Sequence, residues 1–221
     1  MSSPTDRPPW RVIVPVRGGP VGKSRLTSIE GRPLTDAERR ELALAMAHDT
    51  VSAAIAGDRG PVVVLTGDDT VAELARAWGA TVALDTGRGL NAELAAAAAA
   101  FAGSGAVCVL LGDLPALRPE DLDVAIDLAG SASRPGIVVP DWEGTGTTLV
   151  ALTDGPPDLS VLGFGPGSAE RHRLAGLSVA GLQLARLRCD VDTPQGWDRA
   201  VRLGLGASTA ALRRHLLAPT R

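Results

Sequence analysis

Short apolar runs alternate with amphipathic stretches through the first 130 residues. Trp10–Val16 (WRVIVPV), Pro61–Thr66 (PVVVLT) and Thr81–Leu84 predict strands, and Val107–Leu111, bounded by Gly112 and Pro115, predicts one buried on both faces. Thr35-Asp-Ala-Glu38 is a capping box that opens a helix to about Ala56. Its stripe Leu42, Ala45, Met46 and Asp49 is apolar in the first three positions, which sets that face against the sheet. Asp68 or Asp69 caps a second helix with Val71, Leu74, Ala75 and Trp78 at helical spacing. An alanine-rich helix follows over about Ala92–Phe101, and Pro119 starts another with Leu122, Ala125, Ile126 and Ala129 inward. Strand and helix alternating in this way imply right-handed crossovers and a mostly parallel sheet.

Past residue 130 the rhythm changes. Gly136–Pro140 and Leu149–Leu152 predict strands, and Phe164-Gly-Pro-Gly-Ser168 leads into a helical stretch carrying Arg171, His172 and Arg173. Leu187–Asp192 predicts a late strand, Thr193-Pro194 starts a helix through Trp197 and Ala200, and Ser208–Leu217 predicts a surface helix with Arg213, Arg214 and His215 in solvent.

Composition narrows the function. The 221 residues suit one α/β domain spanning 1–221, with 1–9 as a frayed polar tail. A formal charge of −3 gives no electrostatic case for nucleic acid or an anionic membrane. No run reaches the roughly 18 apolar residues of a membrane span, and Met1–Pro9 lacks a signal-peptide core, so a cytoplasmic protein is expected. Cys108 and Cys189 make neither a zinc site nor a disulfide framework.

Candidate chemistry lies at the strand ends. Asp113 follows the central strand, where open α/β sheets bind ligands; it suits a metal or a helix cap. Arg17-Gly-Gly-Pro-Val-Gly-Lys-Ser-Arg25 offers free amides, Gly22, Lys23 and Arg25 to phosphates. It nearly matches a P-loop, but Arg17 stands where the first glycine belongs and Gly31-Arg-Pro33 breaks the required helix. Asn91, after a strand end, is either an N-cap or a contact to a base or ribose. Gly144-Thr-Gly-Thr147 offers hydroxyls and amides to an anion, and the Gly-Ser turn at 167–168 opens a helix, or each is only a turn. Asp190 and Asp192 alternate onto one side of their strand, where they would repel without a cation between them. A lysine-bearing glycine loop, Asp113 and a distant Asp-x-Asp form a set suited to nucleotidyl transfer, with carboxylate-bound Mg²⁺ neutralising phosphate charge.

In this order, Gly112-Asp-Leu-Pro-Ala-Leu117, Gly144-Thr-Gly-Thr147, Phe164-Gly-Pro-Gly-Ser-Ala-Glu-Arg-His172 and Leu187-Arg-Cys-Asp-Val-Asp-Thr-Pro194 resemble the guanylyltransferases of deazaflavin coenzyme (F-420) biosynthesis. These are similar in fold to molybdenum-cofactor nucleotidyltransferases. The likeness spans about Val12–Leu203. It implies a Rossmann-like nucleotide-diphospho-sugar transferase fold with a mixed, mostly parallel sheet. It further implies transfer of GMP from GTP to phosphoenolpyruvate, and hand-over of the diphosphate product to a transferase acting on a deazaflavin. By resemblance Asp113, Asp190 and Asp192 match the Mg²⁺ ligands, and Thr147, Gly165 and Ser168 hold the phosphoenolpyruvate. Lys23 matches the lysine at the triphosphate, and Asn91 lies in the nucleoside loop. The glycine-rich 17–22 loop departs from the family's basic one, leaving Arg17 and Arg25 without a set role. Rival readings are the same chemistry on 2-phospho-L-lactate, 3-phosphoglycerate or another acceptor, a P-loop kinase or ATPase, and a GTP-binding regulator.

Overall fold

The computed structural model describes residues 10–18, 23–100, 105–132, 135–153 and 161–218; the expected frayed tail 1–9 and Gly22 lie outside them. In chain order the elements are β1 (Arg11–Pro15), β2 (Ser28–Ile29), β3 (Arg32–Pro33), α1 (Asp36–Ala56), β4 (Val62–Thr66), α2 (Asp69–Ala77), β5 (Thr81–Leu84) and α3 (Leu90–Ala99). Then come β6 (Val107–Leu110), α4 (Pro119–Ser131), β7 (Gly136–Pro140), β8 (Thr147–Leu152), α5 (Ser168–Leu174), β9 (Ser178–Val179), α6 (Pro194–Leu203) and α7 (Ala207–Leu216).

Seven strands form one sheet in the order β5-β4-β1-β6-β8-β7-β9. The β5-β4-β1-β6 half is parallel throughout, as the strand–helix alternation predicts. β8 runs antiparallel to both neighbours, so the sheet is mixed. Strand alternation splits the core between the two faces. Val12 and Val14 pack with Ala47, Val51 and Ile126 on one side. Ile13 and Val109 pack with Leu94 and Ala98 on the other. Burial pushes the Cys108 thiol well above its ordinary pKa, as expected of an inert core residue.

Two expectations are corrected. The Leu42–Met46 stripe of α1 does not lie on the sheet. It packs with Leu26, Ile29, Trp197 and Leu216, in a third cluster beneath the β2–β3 hairpin, α6 and α7, while Ala47, Val51 and Ala54 take the sheet side. α1 is sandwiched, and a single-stripe reading finds only one of its two buried faces. Asp49 on that helix is not part of a sheet face either. Its carboxylate accepts the Ser208 and Thr209 amides at 2.9 and 2.8 Å and so caps α7 in place of a local side chain. Gly206 makes room for it, since a Cβ there would meet Asp49 Cγ at 2.3 Å.

The second correction concerns Leu187–Asp192, which forms turns and an irregular segment and not a strand. The strand that follows β8 into the sheet is β9, which pairs with β7 at the edge. The 187–192 segment is held by the Val191 amide, which donates to the Asp113 carbonyl at 3.1 Å.

Candidate active site

The carboxyl ends of β1, β4 and β6 open on one side of the sheet, the position where parallel strands present ligand-binding loops. Asp113 sits three residues past β6. Its main chain is fixed by Val191 and, one residue on, by the buried Thr50 hydroxyl, which accepts the Leu114 amide at 3.1 Å. Leu187, Cys189 and Val191 point inward while Asp190 and Asp192 do not, so the alternation expected of a strand survives in the irregular segment. Both aspartates thereby reach the same site as Asp113.

Lys23 occupies the middle of this cluster. Its ammonium donates to Asp113 Oδ2 and, at 2.6 Å, to Asp192 Oδ1. Burial alone would lower the Lys23 pKa, but Asp113 and Asp192 outweigh it and the net shift is upward. Asp192 is also desolvated, yet Lys23 and Arg25, whose guanidinium lies 2.7 Å from Oδ2, hold it below the ordinary carboxylate range. Asp190 moves the other way: burial, then repulsion from Asp113, Asp192 and Asp141, raises it well above that range. Lys23 stands at φ 62° in a turn that leads into the β2–β3 hairpin. A P-loop lysine opens a helix, so the kinase or ATPase reading is excluded.

The cluster fits a divalent cation. Among the described residues, the buried Asp113 Oδ1 has no hydrogen-bond partner, an arrangement that costs about 1–3 kcal/mol unless something positive meets it. Asp141, Glu143 and Asp190 also bring carboxylate oxygens within 4.8 Å of one another.

Next to this cluster lies a cavity of about 600 Å³ whose lining includes Thr147, Gly165, Ser168, Asp190, Asp192 and Arg199. Thr147 begins β8 and Ser168 begins α5; both are buried, with their hydroxyls 3.0 Å apart. The amides of the 144–147 loop are not free as expected. Asp141 accepts those of Thr145 and Gly146 at 2.9 and 2.8 Å, locking the loop. Asn91 lies within the first turn of α3, which Gly89 precedes as N-cap, so it is not the cap. Its amide is engaged at both ends by the Phe164 main chain, donating to the carbonyl at 3.1 Å and accepting the N–H at 2.8 Å.

On the other side of Lys23 and Asp113, a cavity of about 590 Å³ is walled by Arg17, Gly67, Asp85, Thr86, Gly87 and Leu90. Its 85–89 loop is tied down by buried Glu93, which accepts from the Thr86 amide and hydroxyl and from the Arg88 amide and guanidinium. Those partners, Arg88 first, hold the Glu93 pKa down to about 2. Sequence reasoning passed over Glu93, although it is the one charged residue in α3 and for that reason an anomaly. It also missed Asp141, Glu143 and the role of His172, which shows only once Thr147, 25 residues away, is brought against the imidazole.

Residues 10–175 match the family model described as "Guanylyl transferase CofC like". The chain belongs to this guanylyltransferase family. Among curated relatives of these guanylyltransferases, the phosphoenolpyruvate guanylyltransferase of Geodermatophilus obscurus is 43% identical over 209 residues, covering 92% of this chain and 93% of that one. That of Salinispora arenicola is 41% identical, covering 92% of each. A solved structure from Desulfovibrio desulfuricans G20, named as a candidate nucleotide-diphospho-sugar transferase, superposes with a TM-score of 0.70 at 19% identity, covering 93% of this chain and 94% of that one. The fold expectation therefore holds: a mixed central sheet flanked by helices, of the nucleotide-diphospho-sugar transferase type.

Proposed function

We propose that this guanylyltransferase transfers GMP from GTP to phosphoenolpyruvate, giving enolpyruvoyl-diphospho-guanosine and pyrophosphate. The observation that carries the reading is a shared wall. Asp192 lines the 600 Å³ cavity and also a cavity of about 370 Å³ that holds Lys23, Gly112 and Asp113. A triphosphate on one side and an anionic acceptor on the other would meet across that carboxylate. Relatives about 40% identical over nearly the whole chain, named for phosphoenolpyruvate, support the choice of acceptor.

In this reading the 590 Å³ cavity takes the nucleoside, with Glu93 holding its loop, and Lys23 and Arg25 contact the triphosphate, as the glycine loop with Gly22 led us to expect. A phosphate monoester is largely dianionic at neutral pH, so the acceptor needs no protein base. Its oxygen attacks the α-phosphorus of GTP, the new P–O bond forms as the bond to the β-phosphate oxygen breaks, and pyrophosphate leaves. Thr147, Gly165 and Ser168 orient the acceptor, which converts much of the barrier into prior binding. Asp113, Asp190 and Asp192 would hold Mg²⁺, which when bound neutralises phosphate charge. Lys23 then exchanges its carboxylate partners for phosphate oxygens. Asn91, bonded at both ends of its amide to the Phe164 main chain, holds the Phe164–Gly165 loop and not the nucleoside.

A diphosphate-linked enolpyruvyl group is an activated donor, so we assign its consumption to a downstream transferase with a deazaflavin acceptor. GTP and phosphoenolpyruvate are cytoplasmic metabolites, so we assign the reaction to the cytoplasm. The test is pyrophosphate release with GTP and Mg²⁺ and, separately, phosphoenolpyruvate, 2-phospho-L-lactate or 3-phosphoglycerate, with ATP and CTP replacing GTP. Release with phosphoenolpyruvate and GTP alone is expected; release only with another acceptor would replace phosphoenolpyruvate in the reading. GTP binding without release in any arm would leave a regulator.

A further inference from the structure

His172 is fully buried against Thr147 and does not itself line the cavity that Thr147 and Ser168 line. Among the described residues its two ring nitrogens have one partner each. Nε2 accepts the Gly163 amide at 3.0 Å, and Nδ1 lies 2.9 Å from Thr147 Oγ1. A main-chain amide can only donate, so Nε2 carries no proton, and a neutral ring must then carry its proton on Nδ1. Nδ1–H therefore donates to Thr147. Gly163 itself is held rigidly: its carbonyl accepts Arg171 Nε at 3.1 Å, and Asn91 clamps the following residue. The Phe164 ring meets the imidazole edge-on at a centroid distance of 5.0 Å and closes off that side.

The tautomer decides how many donors the pair can offer. Thr147 and Ser168 have two hydroxyl protons between them, and one is used in the 3.0 Å contact that joins them. Were Nδ1 a bare acceptor, it would take the second proton and the pair would face the cavity with lone pairs alone. With Nδ1 as donor, the second proton is unclaimed, because among the described residues neither hydroxyl has another partner. It is free to turn to the cavity, which both residues line.

We propose that His172, locked as the Nδ1–H tautomer by the Gly163 amide, is a positioning residue that makes the Thr147–Ser168 pair a hydrogen-bond donor to an anionic acceptor substrate. The inference rests on the acceptor-site reading above and extends it to specificity: an anion is favoured over a neutral alcohol or protonated group at the same place. A neutral donor chain does this without adding a cation beside the carboxylate cluster.

Two measurements test it on the whole protein. Long-range ¹H–¹⁵N spectra assign the tautomer, with His172→Asn identifying the His172 signals; Nδ1–H at pH 7 is expected, and Nε2–H would overturn the proposal whatever the acceptor proves to be. Kinetics then separate two neutral amide replacements, using whichever acceptor supports release in the wild type. The amide of His172→Asn reaches the Nδ1 position and can still donate to Thr147, so the acceptor KM stays within about threefold. His172→Gln reaches the Nε2 position and leaves Thr147 without its donor, raising the acceptor KM about tenfold with the GTP KM unchanged, close to one lost hydrogen bond. Equal losses in both variants, or matching rises in the GTP KM, would show a packing role only and overturn the proposal. A wild type that releases no pyrophosphate with any acceptor would overturn the acceptor reading instead, and is seen before any variant is made.

Discussion

The wall built from the loops after β1 and β6 and from the 187–192 segment is charged. Lys23, Arg25, Asp113, Asp190 and Asp192 come from segments up to 169 residues apart, and Lys23 and Arg25 balance Asp113 and Asp192 by direct contact. The opposite wall, from β8 and α5, is neutral: two hydroxyls and an imidazole, all buried, whose pKa burial and then Arg171 lower to about 4. In the proposed reading both walls face phosphate-type groups, yet they solve different problems. Charges act over several ångströms and tolerate some displacement, so the charged wall can sit on irregular loops and exchange partners as ions arrive. A hydroxyl acts only along its O–H direction, so the neutral wall needs fixed main chain behind it, which Gly163, Asn91 and Asp141 supply. In that reading, charge sets affinity and reactivity on one side and orientation sets selectivity on the other.

The strongest way to break this comparison is to neutralise the charged wall. Asp113→Asn, Asp190→Asn and Asp192→Asn should each lower kcat by about 10²–10³-fold, comparable to removing one transition-state electrostatic partner, with circular dichroism unchanged. Near-wild-type turnover in all three would remove the metal assignment and with it the contrast.

The neutral wall should be visible in stability against pH. His172 titrates at about 4 when folded and near 6.5 when unfolded. Between those values the unfolded chain binds more protons, so stability is fully present above about 6.5 and is lost as pH falls towards 4. The shift corresponds to about 3 kcal/mol. Urea midpoints from pH 7 down to pH 4 measure it, and His172→Asn should flatten that part of the profile; an unchanged slope would mean the imidazole is not held neutral by its site.

Ser168→Ala should act more gently and on one substrate. The acceptor KM rises about tenfold, the worth of one hydrogen bond, while the KM for GTP stays put. An acceptor KM that does not move would detach this loop from the acceptor. The smallest effect is expected from Asn91→Ala, which removes two bonds to Phe164 yet improves helix propensity in α3. A fall in Tm of about 2–4 °C and a few-fold rise in the acceptor KM would sharpen the contrast, because a rise in the GTP KM instead would return Asn91 to the nucleoside side.

Element type and order were legible in the chain because local signals agree with the fold. The Thr35 capping box forms with Glu38, Thr193 caps α6, and the apolar stripe of α4 is buried as spaced. Less was legible at the site. Asp113, Asp190 and Asp192 stood out as unpaired carboxylates near strand ends, but the strand expected at Leu187–Asp192 is absent, and the two aspartates converge because Val191 is pinned to Asp113. Asn91 looked like a cap or a nucleoside contact, since nothing in its own segment reveals the Phe164 main chain, 73 residues away.

By itself, then, the sequence determined the alternation of strands and helices, the parallel half of the sheet, the carboxylate set and the family, all of which are written in local spacing and motif. Only the tertiary structure decided that α1 is buried on two faces, that Lys23 stands between Asp113 and Asp192, and which nitrogen of His172 carries the proton. Each depends on groups that meet across long stretches of chain, and hydrogen-bond direction in particular is a property of the partner, which no local pattern encodes.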